Sequence, residues 1–216
     1  MDTNIIQTIA IWVLPVLFAI TVHEAAHGWM ARRLGDSTAM MLGRLTLNPI
    51  KHIDPIGTIL VPVVLLISGS GFLFGWAKPV PVTWENLKNP RRDMALVALA
   101  GPASNLIMAI MWAIVAKVAI EIDGGGGVLQ PLILMGLAGI QINIILMVLN
   151  LLPIPPLDGG RIVTGLLPGP MAWQFSRIEP FGLFILIGLL LIGVLWQILG
   201  PVVTAAQGFI FFITGL

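Results

Sequence analysis

The stretch 131–152, PLILMGLAGIQINIILMVLNLL, contains no charged residue. About 20 apolar residues rising 1.5 Å each cross the roughly 30 Å hydrocarbon core of a bilayer, so this segment reads as a membrane span. Two further stretches, 5–33 and 93–122, have spanning length, and 181–199 has nearly so. Lipid offers backbone groups no hydrogen-bond partners, which leaves a chain so built only helices or a closed barrel. Continuous apolar runs, rather than alternating ones, select helices. Composition agrees: 57% of the 216 residues are hydrophobic and 10% charged, against about 25% charged in a soluble domain. The expected fold is an all-α integral membrane protein, a polytopic helix bundle of about 5–6 membrane segments.

The connecting segments refine this picture. Pro15 is expected to kink the first helix. GRLTLN (43–48) alternates polar and apolar residues, which predicts a small β-ribbon after that helix. Segment 56–75 is apolar but broken by Pro62, Gly69 and Gly71, so it is either a short span or a re-entrant hairpin. A Pro-rich polar loop follows at 76–92, and DGGGG (123–127) is a second loop. Beyond the helix at 181–199, Gly200-Pro201 is expected to stop the chain, leaving 202–215 as a short last segment. Lys117 and Glu121, four apart, can pair or snorkel. With no tyrosine present, Trp29, Trp112 and Trp196 are expected near helix ends as interfacial aromatics. The whole of 1–216 reads as one membrane domain, with core motifs in 18–165, C-terminal membrane helices in 181–215, and no stretch for a PDZ or CBS module.

Charge gives orientation. Arg32, Arg33, Arg44 and Lys51 follow the first helix, Lys78, Lys88, Arg91 and Arg92 precede the second, and Arg161 and Arg177 follow the third. The bias of Lys and Arg toward the cytosol puts these loops inside, which favours the re-entrant reading of 56–75. MDTNIIQ lacks the basic region of a signal peptide, so the first helix is expected to be retained. A net charge of +1 without a basic run argues against nucleic acid as a partner. The absence of cysteine excludes disulfides and thiolate metal sites.

Within the first apolar segment lies ITVHEAAHGWMARR (20–33). Ionisable groups at bilayer depth cost about 2.5–3.5 kcal/mol each on insertion scales, so His23, Glu24 and His27 require a compensating partner. On a helix, residues four apart share a face, and two imidazoles so placed can hold one zinc ion. Glu24 is adjacent and can serve as general base toward a water. The plainer alternative is a polar patch satisfying itself inside a bundle. A catalytic zinc takes three protein ligands and keeps an open position. His52 is the only other histidine, which makes a carboxylate the expected third ligand. NLLPIPPLDGGR (150–161) offers Asp158 after a Pro-stopped helix, although alone it also reads as an ordinary helix end with an Asp-Gly turn.

The pair HEAAH and NLLPIPPLDGGR resembles the site-2 protease family of intramembrane zinc metalloproteases, in its small prokaryotic form without PDZ or CBS domains. AGPASN (100–105), GRLTLNPIKHIDPIGT (43–58) and FGWAKPVPV (74–82) extend the resemblance. It runs from about residue 18 to about residue 165. It implies His23, His27 and Asp158 as ligands of one Zn2+ per chain, Glu24 as general base, and Asn150 in substrate binding or oxyanion stabilisation. It implies as substrate a membrane protein with a transmembrane segment, and as location a prokaryotic cell membrane with the active site toward the cytosol. The strand-like 43–48 would then be an edge for an extended substrate. Oligomeric state is not indicated.

Several residues carry competing readings. KHIDP could bring His52 to the metal, or it could be an interfacial turn in which Asp54 accepts local backbone bonds. Asn105, among Gly101, Ala103 and Ser104, reads first as helix packing and second as a polar contact to the site. The rival functions are a metal-binding transporter, a membrane zinc hydrolase acting on lipid or a prenylated protein, and a pseudoprotease that binds membrane proteins without cleaving them.

Overall fold

The computed structural model describes residues 5–67 and 75–216. Its helices are α1 (Ile5–Leu34), α2 (Thr38–Met41), α3 (Val61–Ile67), α4 (Pro90–Asp123), α5 (Gln130–Asn150), α6 (Asp158–Leu166), α7 (Gly169–Ser176), α8 (Glu179–Leu191) and α9 (Val194–Thr214). A 3-10 turn at Pro49–His52, a π turn at Pro55–Leu60 and a 3-10 turn at Trp84–Asn86 lie between them. Four helices, α1, α4, α5 and α9, are long and apolar enough to cross a membrane, and α7 with α8 makes a fifth if that pair, bent by 56°, is one span. The expected 5–6 segments are thus four or five.

Three of these helices position the site. α4 packs against α1, α5 and α6, and α1 also meets α5. Close approach depends on missing side chains: a Cβ on Gly136 would lie 2.7 Å from Cβ of Ala116, and one on Gly139 would enter the Trp112 ring. Behind them Ala109, Ala113, Ile140, Ile144, Leu199 and Ile210 form the core shared by α4, α5 and α9. α4 starts with Pro90 in its first turn, where no N–H is needed, and Asp93 reaches back to accept from the N–H of Asn89. It stops at Gly124, in the left-handed region that ends helices. The amide of Lys88 donates to Leu34 O, which joins the start of α4 to the end of α1. Arg32, Arg33, Arg91 and Arg92 therefore sit at one end of the bundle.

Four expectations are corrected. Among the described residues there is no strand, and 43–48 is a turn and bends. Its neighbour 76–83 contains Pro79 and Pro81, which have no N–H for a ladder. Side chains make the connection instead: Arg44 Nη2 donates to Lys78 O and Pro79 O, and His52 Nε2 donates to Thr46 O. The C-terminal helices break at Gly193, with φ of 76°, and not at Gly200-Pro201. Pro201 sits inside α9, as proline can in a membrane helix whose neighbours support it. Trp112 lies in the middle of α4 against Gly139, whereas Trp29 and Trp196 do lie near helix ends. Lys117 caps the last turn of α9 through Thr214 O at 2.7 Å. That carbonyl has no intrahelical partner and sits at the negative end of the helix dipole.

Segment 56–75 returns to where it leaves. The Trp76 amide donates to Gly57 O at 3.1 Å, and Thr58 Oγ1 donates to Trp76 O at 2.8 Å. A full span would set its two ends about 30 Å apart. Residues 68–74 lie outside the described residues.

Candidate metal centre

HEAAH, residues 23–27, lies in the C-terminal half of α1. At 1.5 Å per residue, His27 lies about 10 Å and His23 about 16 Å from the helix end at Leu34. Both rings point toward α4, where Gly101 leaves them room. A Cβ there would fall 2.4 Å from His27 Nε2 and 2.6 Å from His23 Cε1. Asp158 arrives from the other side. α5 ends at Asn150, the prolines of PIPP prevent its continuation, and the chain turns into α6 with Asp158 as its first residue. Gly159 follows because its α-carbon packs onto the turn: a Cβ would sit 2.3 Å from Leu151 O and Leu152 O.

The three side chains converge, all buried. His23 Nε2 and His27 Nε2 are 3.0 Å apart, and Asp158 Oδ2 lies 3.2 Å from the first and 3.3 Å from the second. A tetrahedral ion with bonds of about 2.0–2.1 Å sets its ligands about 3.3 Å apart, so the triangle has the size that zinc requires. His27 Nδ1 donates to Val97 O at 2.8 Å and His23 Nδ1 donates to Asn105 Oδ1 at 2.6 Å, and both acceptors can only accept. In these neutral tautomers each Nε2 presents a lone pair, and Asp158 Oδ2 has no hydrogen-bond donor. Three buried acceptors facing one another call for a cation. Two nitrogens and one carboxylate oxygen are a donor set that suits zinc.

The surroundings hold these groups still. Pro102 has no N–H for Ala98 O, which loosens the turn of α4 in which Val97 O receives His27. Glu24, half-buried beside His23, accepts the N–H of Val80 on Oε2 at 2.7 Å, so the 76–83 segment lies over the motif. Asn150, the last residue of α5, donates from Nδ2 to Leu146 O at 3.0 Å, within its own helix. That bond uses one of the two N–H groups on Nδ2.

His52 stands apart from the converging group. It is buried, donates to Thr46 O, and its own carbonyl accepts from Lys78. Asp54 caps the π turn by accepting from Ile56 and Gly57, which is the turn role expected of it. Asn105 takes the role ranked second in the sequence, a polar contact to the site. Asn143 was not singled out at all, yet it accepts from Asn105 Nδ2 at 2.9 Å. The sequence signal that could have found it is an amide inside the charge-free run 131–152.

Comparison with known proteins points the same way. Residues 125–193 match peptidase family M50. The chain is 38% identical over 197 residues to the protein named "Putative zinc metalloprotease YwhC" of Bacillus subtilis, covering 90% of this chain and 86% of that protein. It is 33% identical over 144 residues to "Putative zinc metalloprotease Rip2" of Mycolicibacterium smegmatis, 66% of this chain and 52% of that one. It is 35% identical over 154 residues to the protein of the same name from Mycobacterium tuberculosis, 71% of this chain and 54% of that one. No solved structure matches the chain.

Proposed function

The chain belongs to peptidase family M50, and on that premise we propose that it is an intramembrane zinc metalloprotease that hydrolyses peptide bonds in or near the transmembrane segments of other membrane proteins. The observation that carries this reading is the triangle of His23, His27 and Asp158 at 3.0–3.3 Å, next to Glu24, with both histidines on a helix of membrane-spanning length. One metalloprotease domain over 1–216 is part of the proposal.

In this reading His23, His27 and Asp158 hold one zinc ion per chain. The chemistry zinc supplies when bound is Lewis-acid polarisation of a carbonyl and acidification of water. Glu24 takes the proton from the attacking water and delivers it to the leaving amine. The Val80 amide fixes one Glu24 oxygen, and the second oxygen remains for the proton. We assign Asn150 to the substrate oxyanion, toward which the second N–H of Nδ2 donates while the first bonds Leu146 O. The substrate is a membrane protein whose helix must unwind locally, because a peptide bond inside an intact helix is hydrogen-bonded and shielded. We assign the end of the bundle shared by Arg32, Arg33, Arg91 and Arg92, the end nearer the site, to the cytosolic side of a prokaryotic cell membrane; the bias of Lys and Arg toward the cytosol supports the side.

The test is incubation of the purified protein in detergent with tagged single-span membrane proteins, and mapping of new termini by mass spectrometry. Cuts within or beside the span are expected from wild type, none after chelation, and at least about a hundredfold fewer from Glu24→Gln. Zinc uptake into liposomes that survives Glu24→Gln, with no cleavage of any substrate, would favour a transporter instead.

A further inference from the structure

We propose that Asn105 is a positioning residue for the metal centre, and that Asn143 positions Asn105 in turn. The inference rests on the assignment of His23 as a zinc ligand. Asn105 Oδ1 accepts from His23 Nδ1 at 2.6 Å, across 82 residues of sequence. This bond sets the tautomer that leaves Nε2 free to bind metal, and it fixes the plane of the ring.

An amide can hold this bond only with its oxygen toward the imidazole, and the surroundings enforce that orientation. Asn105 Nδ2 donates to Ala19 O at 3.2 Å and to Asn143 Oδ1 at 2.9 Å. Both partners only accept at those atoms, so rotating the amide by 180° would set oxygen against oxygen at both contacts. The Asn143 amide is fixed in the same way, because its Nδ2 donates to Gly139 O at 2.8 Å. The series runs from a backbone carbonyl of α5 through α4 to the ring on α1. Neither asparagine is exposed to solvent at all.

A packing role predicts something different. Asn150 shows what an amide does when packing suffices: it bonds a carbonyl one turn back in its own helix. Asn105 bonds three other residues on two other helices, and one of them is the imidazole at the metal centre. His27 needs no such device, because a backbone carbonyl, Val97 O, already fixes its tautomer.

The test is zinc affinity of the purified full chain, measured by competition with a chromophoric chelator, with the melting temperature of the metal-free protein recorded alongside. Asn105→Leu, apolar and of similar volume, should bind zinc about 10–100-fold more weakly, the usual cost of losing a partner behind a ligand. Asn105→Gln keeps both the accepting oxygen and the donating NH2 and should bind zinc more tightly than Asn105→Leu, within about tenfold of wild type. Asn143→Ala should weaken binding severalfold alone and add nothing to Asn105→Leu, because both act along one path. It also serves if Asn105→Leu does not fold. Wild-type affinity in folded Asn105→Leu overturns the inference, as does equal weakening in the Leu and Gln variants. Absence of zinc from wild type and His23→Ala alike would overturn the ligand assignment itself.

Discussion

Gly101 shows how little room the centre leaves at the scale of one residue. A methyl group there would fall 2.4 Å from His27 Nε2 and 2.5 Å from its Cε1, inside the ring's van der Waals surface. Gly101→Ala should therefore push both histidines away from Asp158. We expect zinc content below about a tenth of wild type, through ligand geometry lost and not through helix propensity, which alanine improves. Elemental analysis of the purified variant checks this. The structure brings His23, His27 and Asp158 together; HEAAH was legible in the sequence as a candidate metal site because it is a short pattern with its own chemistry, and Asp158 through the resemblance. Asn105 and Asn143 were not, because their meaning lies in contacts 82 and 38 residues away. An asparagine in a membrane helix looks the same whether it packs or positions.

At the scale of elements, apolar length identified α1, α4 and α5 to within a few residues, while loops and breaks were read less well. The alternation of 43–48 suggested a strand, yet a strand needs a partner with free N–H groups, and Pro79 and Pro81 deny it one. The break at Gly193 was missed because proline outweighed glycine in the reading, whereas in a bilayer proline is tolerated and a left-handed glycine ends the helix. The loops are secured by side chains. Asp36, fully buried just past α1, accepts from the backbone and hydroxyl of Thr38, the amide of Thr83 and the side chain of Asn86. Burial alone would raise its pKa, but the Thr38 hydroxyl, the Asn86 amide and the two backbone N–H groups outweigh it and hold the carboxyl below its ordinary value of 3.8. The stabilisation is present above that ordinary value and is lost as pH falls through the lower, folded one. Asp36→Asn should cost about 2 kcal/mol at pH 7, the scale of hydrogen bonds to a buried charge. The difference in melting temperature between wild type and Asp36→Asn should hold from pH 7 to 5 and shrink below about pH 4.

At the scale of the whole molecule, the bundle separates charge from catalytic chemistry by depth. Basic residues gather where α1 ends and α4 begins, and the histidines lie one and a half to three turns further in. The chain has no cysteine, so single replacements report sidedness cleanly. Met41, the last residue of α2, and Val128, in the loop before α5, are exposed at opposite ends. In intact cells a membrane-impermeant maleimide should label Val128→Cys and should reach Met41→Cys only after lysis; the reverse pattern would invert the proposed orientation. Membrane architecture was readable from composition because the bilayer constrains a sequence so strongly. The pairing of α1 with α6 around one ion was readable only through the resemblance, since nothing local to LDGG says what Asp158 faces. We hold that His23, His27 and Asp158 bind zinc, and elemental analysis of zinc per chain in purified wild type, Asp158→Ala and Glu24→Gln decides it. About one zinc is expected in wild type and in Glu24→Gln, and a small fraction of that in Asp158→Ala. A folded, chelator-free wild type without zinc, or zinc unchanged by Asp158→Ala, would contradict it.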